Sequence, residues 1–276
     1  MSNTYLRPDM ADFVTITETP GQWATNEQLS MMTTRYGLAE KFAENKDVLE
    51  IGCGTGIGLG WLATSARLVI GGDIDLANLE VAKKSYKSRP NIQIQQMNAC
   101  ELAVENESLD TIVIFEAIYY LDNVSSFIEE AWRSLRPGGT LLISTVNKEW
   151  HGFNPSPFSC EYLSARQISE LLVRSGFECQ IFNAFYDKPN SLKSWAIGKT
   201  RKIAISFNLI PKSMEGKKFL KRIFYGPLSP ITCELLPEMA QTEPLHPVEL
   251  NREIVDYKIL YAVGKKTEKK GKTLWT

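Results

Sequence analysis

Residues 48–58 read VLEIGCGTGIG: a β-branched and apolar run, Glu50 near its end, then glycines at 52, 54, 56 and 58. Glycine has no Cβ to hold a ligand away and accepts positive φ, so a strand ending in this turn lets its backbone touch a bound cofactor. A dinucleotide fingerprint would want a glycine at 57, with a pyrophosphate over the following helix start. That position is Ile57. Downstream, at the interval of about twenty residues at which an acidic side chain meets a ribose in nucleotide-binding α/β units, the buried-strand pattern LVIGGDID at 68–75 ends in acid. Asp73 is the ribose candidate, because a carboxylate accepts strong charge-assisted hydrogen bonds from sugar hydroxyls. Asp75 is placed instead as the N-cap of the helix LANLEVAKK, accepting from its unpaired first-turn N–H groups.

Glu50, Gly52, Gly54 and Gly56 resemble motif I of the class I (Rossmann-like) S-adenosylmethionine-dependent methyltransferases. Their ligand carries no phosphate and so does not need the helix N-terminus for an anion. IQIQQMNACEL at 92–102 resembles the stretch of that family in which a strand delivers an acidic or amide side chain to the adenine amino group. The resemblance implies that Asn98 meets that group, with Ala99 and Cys100 offering backbone contacts. It also places Cys53 and Ile74 in the cofactor-binding loops. The family more often has aspartate where this chain has Asn98, but an amide oxygen accepts the same bond. LDTIVIFEAIYYL at 109–121 fits the fourth strand and its exit loop, and RPGGTLLIST at 136–145 the turn into the fifth. Four matches in order over 48–145 imply S-adenosyl-L-methionine as cofactor and S-adenosyl-L-homocysteine as product. Ahead of them, TPGQWATNEQLSMMTTRYGLAEKF resembles the family's N-terminal helix that closes over the cofactor. Thr25 and Gln28 fit a capping box for it, and the resemblance puts Arg35 and Tyr36 near the methionine carboxylate.

The implied chemistry is an in-line displacement, in which an acceptor lone pair attacks the methyl carbon of a sulfonium and a neutral thioether leaves. Positioning alone can supply about 7–11 kcal/mol in favourable cases, and a general base adds about a hundredfold or more when the acceptor carries a proton. Candidate groups lie where ligands bind in open α/β sheets, at the carboxyl ends of strands: Glu116, Tyr119 and Tyr120 after the fourth strand, then Asn147, Trp150 and His151 after the fifth. His151 is the candidate base, since a neutral imidazole titrates near working pH and the only other histidine, His246, lies in a proline-flanked loop. Glu116 would orient the cofactor or an acceptor amine. Tyr119 and Tyr120 would pack the acceptor or offer an aromatic face to the sulfonium.

The elements that must position these groups follow from periodicity. VSSFIEEAWRSL places Val124, Phe127, Ile128, Ala131 and Leu135 on one helical face, and SARQISELLVRSG repeats the pattern until Gly176 stops it. FECQIFNAFY at 177–186 and DYKILYAVGKK at 256–266 read as strands six and seven. Strands alternating with amphipathic helices imply right-handed crossovers. The expected fold is α/β: a doubly wound, seven-stranded, mostly parallel sheet with an antiparallel last strand, an N-terminal helical extension over 1–45 and a helical insertion between strands six and seven. The methyltransferase domain then covers 46–186 and 253–266, the insertion 187–252 and a tail 267–276. No run approaches the roughly eighteen apolar residues of a spanning helix, and the N-terminus lacks the basic and apolar regions of a leader. The five cysteines, at 53, 100, 160, 179 and 233, show no metal-ligand spacing. A soluble cytoplasmic protein with reduced thiols and no metal is expected.

The insertion is unusually basic. Residues 188–222 hold ten lysines and arginines against Glu215, a net +9 in a chain of net −1, so the charge is strongly polarised. Trp195, Phe207, Phe219, Phe224 and Tyr225 interleave with the cations. That mix suits a phosphorylated small molecule such as a nucleotide sugar, an anionic lipid or lipid-linked glycan, or RNA. A small, anionic or glycosylated acceptor methylated on oxygen or nitrogen ranks first. RNA ranks lower, because the chain has no recognisable RNA-binding module and is slightly acidic overall. Peripheral membrane contact through 188–225 is a further reading, since KKFLKRIFY could form a short basic amphipathic helix. A non-catalytic binding or scaffold protein that keeps the fold is the alternative to an enzyme.

Overall fold

In the computed structural model, which describes residues 18–187 and 227–267, the chain runs β1 (Trp23–Thr25), α1 (Asn26–Glu40), β2 (Asp47–Ile51), α2 (Leu59–Leu62), β3 (Leu68–Asp73), α3 (Leu76–Tyr86), β4 (Ile92–Gln96), β5 (Leu109–Phe115), α4 (Val124–Ser134), β6 (Leu135–Val146), α5 (Ala165–Arg174), β7 (Phe177–Tyr186), β8 (Leu228–Pro230), β9 (His246–Pro247) and β10 (Tyr257–Lys266). The central sheet has the order β4-β3-β2-β5-β6-β10-β7-β9. Pairings are parallel from β4 through β6, while β10 lies antiparallel to both β6 and β7. The chain starts in the middle at β2, winds outward to β4, then crosses back to β5. The neighbouring carboxyl ends of β2 and β5 therefore form a topological switch point, the place where open α/β sheets bind ligands.

The sequence explains the layering. Every residue of β2 is buried, as a strand covered on both faces requires, whereas the edge strand β4 reads IQIQQ and leaves Gln93 and Gln96 exposed. α4 buries Val124, Phe127, Ile128 and Ala131 on one side of the sheet, joined by Ile168 and Leu172 of α5. On the other side, Leu29, Met32 and Tyr36 of α1 pack with Leu59 and Trp61 of α2 and Leu79 of α3. The cap expected at the N-terminal helix forms. Thr25 and Gln28 close a reciprocal capping box at α1, and Ser164 with Gln167 does the same at α5.

One expectation is corrected. The main sheet has eight strands rather than seven, because His246–Pro247 adds a two-residue edge on β7; so short a segment shows no alternation in sequence and pairs only through tertiary contact. The part of the expected helical insertion that falls within the described residues, 227–252, holds β8, β9 and a single 3₁₀ turn at Pro237–Met239 and no α-helix. It packs on the main domain. β8 pairs with β1, the Leu235 N–H donates to the Ile57 carbonyl at 2.7 Å, and Glu234 pairs with Arg89 at 2.9 Å. The basic run 188–222 and its interleaved aromatic residues lie outside the described residues. Among the described residues, no helix is long and apolar enough to cross a membrane.

Candidate functional site

A cleft of about 670 Å³ opens along the carboxyl ends of β2–β6 and the amino-terminal part of the antiparallel β10. Its floor is the glycine turn after β2. Gly52, Gly54 and Gly56 all take positive φ, at 71°, 56° and 75°, and a Cβ at Gly52 would stand 2.7 Å from the Cβ of Ala117. Gly52 and Gly54 line the cleft with Cys53; Gly56 does not, and serves instead the close approach of α2 and α3, where a Cβ would meet Leu59 at 2.9 Å and Ala82 at 3.0 Å.

Asp73 ends β3 and lines the cleft beside this turn. Its Oδ2 accepts from the Gly54 N–H at 2.7 Å and its Oδ1 from the Asp75 N–H at 2.9 Å. The carboxylate is thereby oriented by two backbone donors, with lone pairs left over for a ligand. Burial raises its pKa, against those hydrogen bonds. Asp75 caps α3 by accepting from the Ala77 and Asn78 N–H groups. Ile74, also on the cleft wall, presents an apolar face that is 57% exposed among the described residues. Asn98, Ala99 and Cys100 line the same end. The Cys100 N–H is turned inward to Asn98 Oδ1 at 3.0 Å, so that backbone donor is spent on the turn that aims Asn98.

Above the glycine turn, α1 contributes Arg35 and Tyr36, both buried and both on the cleft wall. The Tyr36 hydroxyl donates to Glu50 Oε1 at 2.5 Å, and the Arg35 guanidinium pairs with Glu18. Two polar atoms here have no hydrogen-bond partner among the described residues: Glu50 Oε2 and Arg35 Nε. Buried groups of this kind are rare and costly. Burial pushes the Glu50 carboxyl up to about 7, even with the Tyr36 hydroxyl and the Arg35 charge opposing it. Burial acts against the charge of Arg35, but Glu18, Tyr36 and Glu116 together outweigh it and hold the guanidinium protonated.

At the far end, under β5, β6 and β10, stand Glu116, Tyr119, Ser144 and Tyr261. Glu116 follows β5 with φ of 52°, a left-handed conformation that costs a non-glycine residue on the order of 1–3 kcal/mol and clusters at functional sites. Ser144 Oγ donates to its Oε1 at 3.0 Å and the Tyr119 hydroxyl to its Oε2 at 3.2 Å. Burial raises its pKa, opposed by Arg35. Tyr119 stacks on Tyr162 at 4.4 Å and meets Tyr120 edge-on at 4.6 Å.

His151 is not brought to this place. It is exposed and does not line the cleft; its Nδ1 lies 3.0 Å from the Val255 carbonyl and its Nε2 3.4 Å from Asp187. Trp150 shares that position, donating from Nε1 to the same Asp187 carboxylate. The loop after β6 is held outward by Asn147, whose side-chain amide donates to the Ile254 and Tyr257 carbonyls, and this carries His151 away from Glu116. Glu18, Ser144 and Tyr261 are cleft residues that sequence reasoning did not find. Glu18 lies before the first recognisable element, and Ser144 and Tyr261 sit inside strands where alternation says only which way they point. Among the described residues no cluster of histidine, cysteine or acidic side chains could hold a metal.

Residues 49–143 match the family model of a methyltransferase domain. A Mycolicibacterium smegmatis protein described as a probable S-adenosylmethionine-dependent methyltransferase is 38% identical over 149 residues, which are 52% of this chain and 56% of its own. A counterpart from Mycobacterium tuberculosis is 37% identical over 139 residues, 48% of each chain. The chain spans about half the length of these mycobacterial relatives. The ubiquinone biosynthesis O-methyltransferase of Pseudomonas fluorescens is 30% identical over 191 residues, 67% of this chain and 76% of its own. Among solved structures, the phosphoethanolamine N-methyltransferase 2 of Haemonchus contortus, bound to S-adenosyl-L-methionine, superposes with a TM-score of 0.54 at 17% identity over 85% of this chain and 52% of that one. A Thermotoga maritima S-adenosylmethionine-dependent methyltransferase does so with a TM-score of 0.54 at 15% identity over 88% and 91%. At such identities the likeness is one of fold.

Proposed function

The chain belongs to the S-adenosylmethionine-dependent methyltransferases, and from that premise we propose that it methylates an oxygen or nitrogen of a small acceptor held at the Glu116 end of the cleft. The observation that carries the reading is the pair of orphaned buried atoms over the glycine turn. Among the described residues Glu50 Oε2 lacks a donor and Arg35 Nε lacks an acceptor, and the ammonium and carboxylate of a methionyl end would satisfy one each. Asp73 has the place of the ribose acceptor, and Ile74, Asn98 and Ala99 that of the adenine wall. The residues present thus fit the cofactor along the whole cleft.

When bound, the cofactor supplies an electrophilic methyl on a sulfonium. The chain's own work is then to hold, orient and desolvate. The Gly54 N–H fixes Asp73, Tyr36 fixes Glu50, and Ser144 with Tyr119 fixes Glu116, so each carboxylate is set before any ligand arrives, which is the source of positional rate enhancement. Glu116 is the group placed to take a proton from the acceptor. Its raised pKa brings a carboxylate closer to working pH, where a base is most effective. We do not assign that role to His151, given its distance from the cleft lining. The expectation of an anionic acceptor rests on 188–222; the wall that is described supports a neutral or cationic reacting group instead.

The test is calorimetry with S-adenosyl-L-homocysteine together with a methyl-transfer assay reading its formation. Binding at micromolar concentration that falls at least tenfold in Arg35→Ala and in Asp73→Ala supports the reading. Absence of binding at millimolar ligand would reject it in favour of a protein that keeps only the fold.

A further inference from the structure

Nothing in cofactor binding accounts for the far end of the cleft. Tyr261 stands directly opposite Ser144 in the β10–β6 register, and Ser144 is the donor to Glu116. The Tyr261 side chain is fully buried and on the cleft wall, yet its hydroxyl has no hydrogen-bond partner among the described residues. Such a group waits for a partner. Glu116 beside it is fixed in a left-handed backbone conformation with both oxygens located by neutral donors. Neither donor cancels its charge.

The charge of the described wall points the same way. Among the described residues, Glu18, Glu50, Asp73, Glu116 and Asp122 line the cleft with Arg35 as the one cation, and Arg35 is paired with Glu18. A single cationic sulfonium leaves a negative surplus. A phosphate or carboxylate entering here would meet it at short range in a partly desolvated site, where like charges repel strongly. An ammonium ion would be drawn in, and the rings of Tyr119 and Tyr120 offer it aromatic faces as well.

We propose that the methyl acceptor is an amine, bound as its ammonium ion by the Glu116 carboxylate with the Tyr261 hydroxyl accepting a second N–H. The inference rests on the methyltransferase reading and narrows it. The ammonium gives one proton to Glu116, leaving a neutral amine; its lone pair forms the new C–N bond as the C–S bond breaks and its electron pair stays on sulfur. The product is the N-methylated ammonium, and Glu116 returns its proton to solvent. Glu116 is then a catalytic residue, and Tyr261 a substrate-orienting one.

The protein saturated with S-adenosyl-L-homocysteine is titrated in the calorimeter with phenethylammonium, with 2-phenylethanol and with phenyl phosphate. The ammonium should bind at least tenfold tighter than either of the others, and its affinity should fall as pH is lowered and Glu116 is protonated. Glu116→Gln should abolish the preference, and Tyr261→Phe should weaken ammonium binding severalfold with S-adenosyl-L-homocysteine affinity unchanged. The wild-type comparison stands even where a variant fails to fold. Equal or tighter binding of the phosphate or the alcohol, no ammonium binding, or a preference that survives Glu116→Gln each overturns the proposal while leaving the methyltransferase reading intact. A wild-type protein that does not take up S-adenosyl-L-homocysteine overturns both.

Discussion

Gly58 and Tyr36 share one space: a Cβ at position 58 would lie 1.8 Å from Cζ of the Tyr36 ring. The last glycine of the turn is therefore not there to admit ligand but to admit the tyrosine that holds Glu50. Because Tyr36 also packs edge-on against Phe115 at 5.3 Å and beside Trp61 at 6.3 Å, it has little room to withdraw. Gly58→Ala should destabilise the protein by about 1–3 kcal/mol, the range for overpacking a filled core. It should also release the Tyr36–Glu50 hydrogen bond and weaken cofactor affinity about tenfold. Thermal melts with and without S-adenosyl-L-homocysteine read both effects, and an unchanged melting temperature would refute the fit.

Glu50 makes the cleft sensitive to pH. Its folded-state value of about 7 lies above that of an ordinary carboxylate, so the stability it contributes to the free protein is full below the usual carboxylate range and is lost as pH rises through about 7. Cofactor binding reverses the demand, because an ammonium beside Oε2 favours the ionised form. S-adenosyl-L-homocysteine affinity should then climb as pH rises toward 7 and level off above it, with proton release near pH 6. Calorimetry at pH 6 in two buffers of different ionisation enthalpy measures that release. Asp73 and Glu116 are raised as well, so Glu50→Gln serves as the control: release that persists undiminished in the variant assigns the proton elsewhere.

Asp73 is bound into the fold as well as lining the cleft. Its two backbone hydrogen bonds tie the end of β3 to the glycine turn, and bonds to a charged acceptor are worth about 1.5–3 kcal/mol each. Asp73→Ala should lower cofactor affinity about ten- to a hundredfold and also lower the melting temperature of the free protein. Asp73→Asn, which keeps an acceptor toward one donor, should lose less of both. Equal affinity for wild type and the alanine variant would remove Asp73 from the ribose position.

How far the sequence could be read depended on whether a residue's role is local. The glycine turn, Asp73, the Thr25–Gln28 box and Asp75 as a cap all act on neighbours within a few positions, and each appears as spacing. Tyr36 was legible as a residue of the cleft wall but not as the donor to Glu50, because that contact crosses from α1 to β2. Arg35 is buried rather than set on a surface, since Glu18 supplies its counter-charge from a stretch with no pattern. Tyr261 and Ser144 meet Glu116 only through the antiparallel register of β10 on β6, which no periodicity encodes. The strap at 227–245 was hidden for the same reason: Glu234 reaches Arg89, and a Cβ at Gly60 would stand 2.2 Å from its Oε1. His151 misled because rarity is a property of composition, whereas reach is a property of the Asn147-anchored loop.

That last contrast is testable in turnover. His151 contacts the Val255 carbonyl and Asp187 at the surface, so His151→Ala should retain wild-type methyl transfer across pH 6–9 within about twofold, because a proton-transfer group would be worth about a hundredfold or more. Glu116→Gln keeps the shape that Ser144 and Tyr119 hold but has no basic oxygen to take up a proton. Its turnover should fall by about two orders of magnitude, with cofactor affinity changed far less. Rates measured under saturating cofactor separate the two residues. A large loss in His151→Ala with Glu116→Gln near wild type would mean that the loop after β6 swings inward during turnover and that the imidazole, not the carboxylate, accepts the proton.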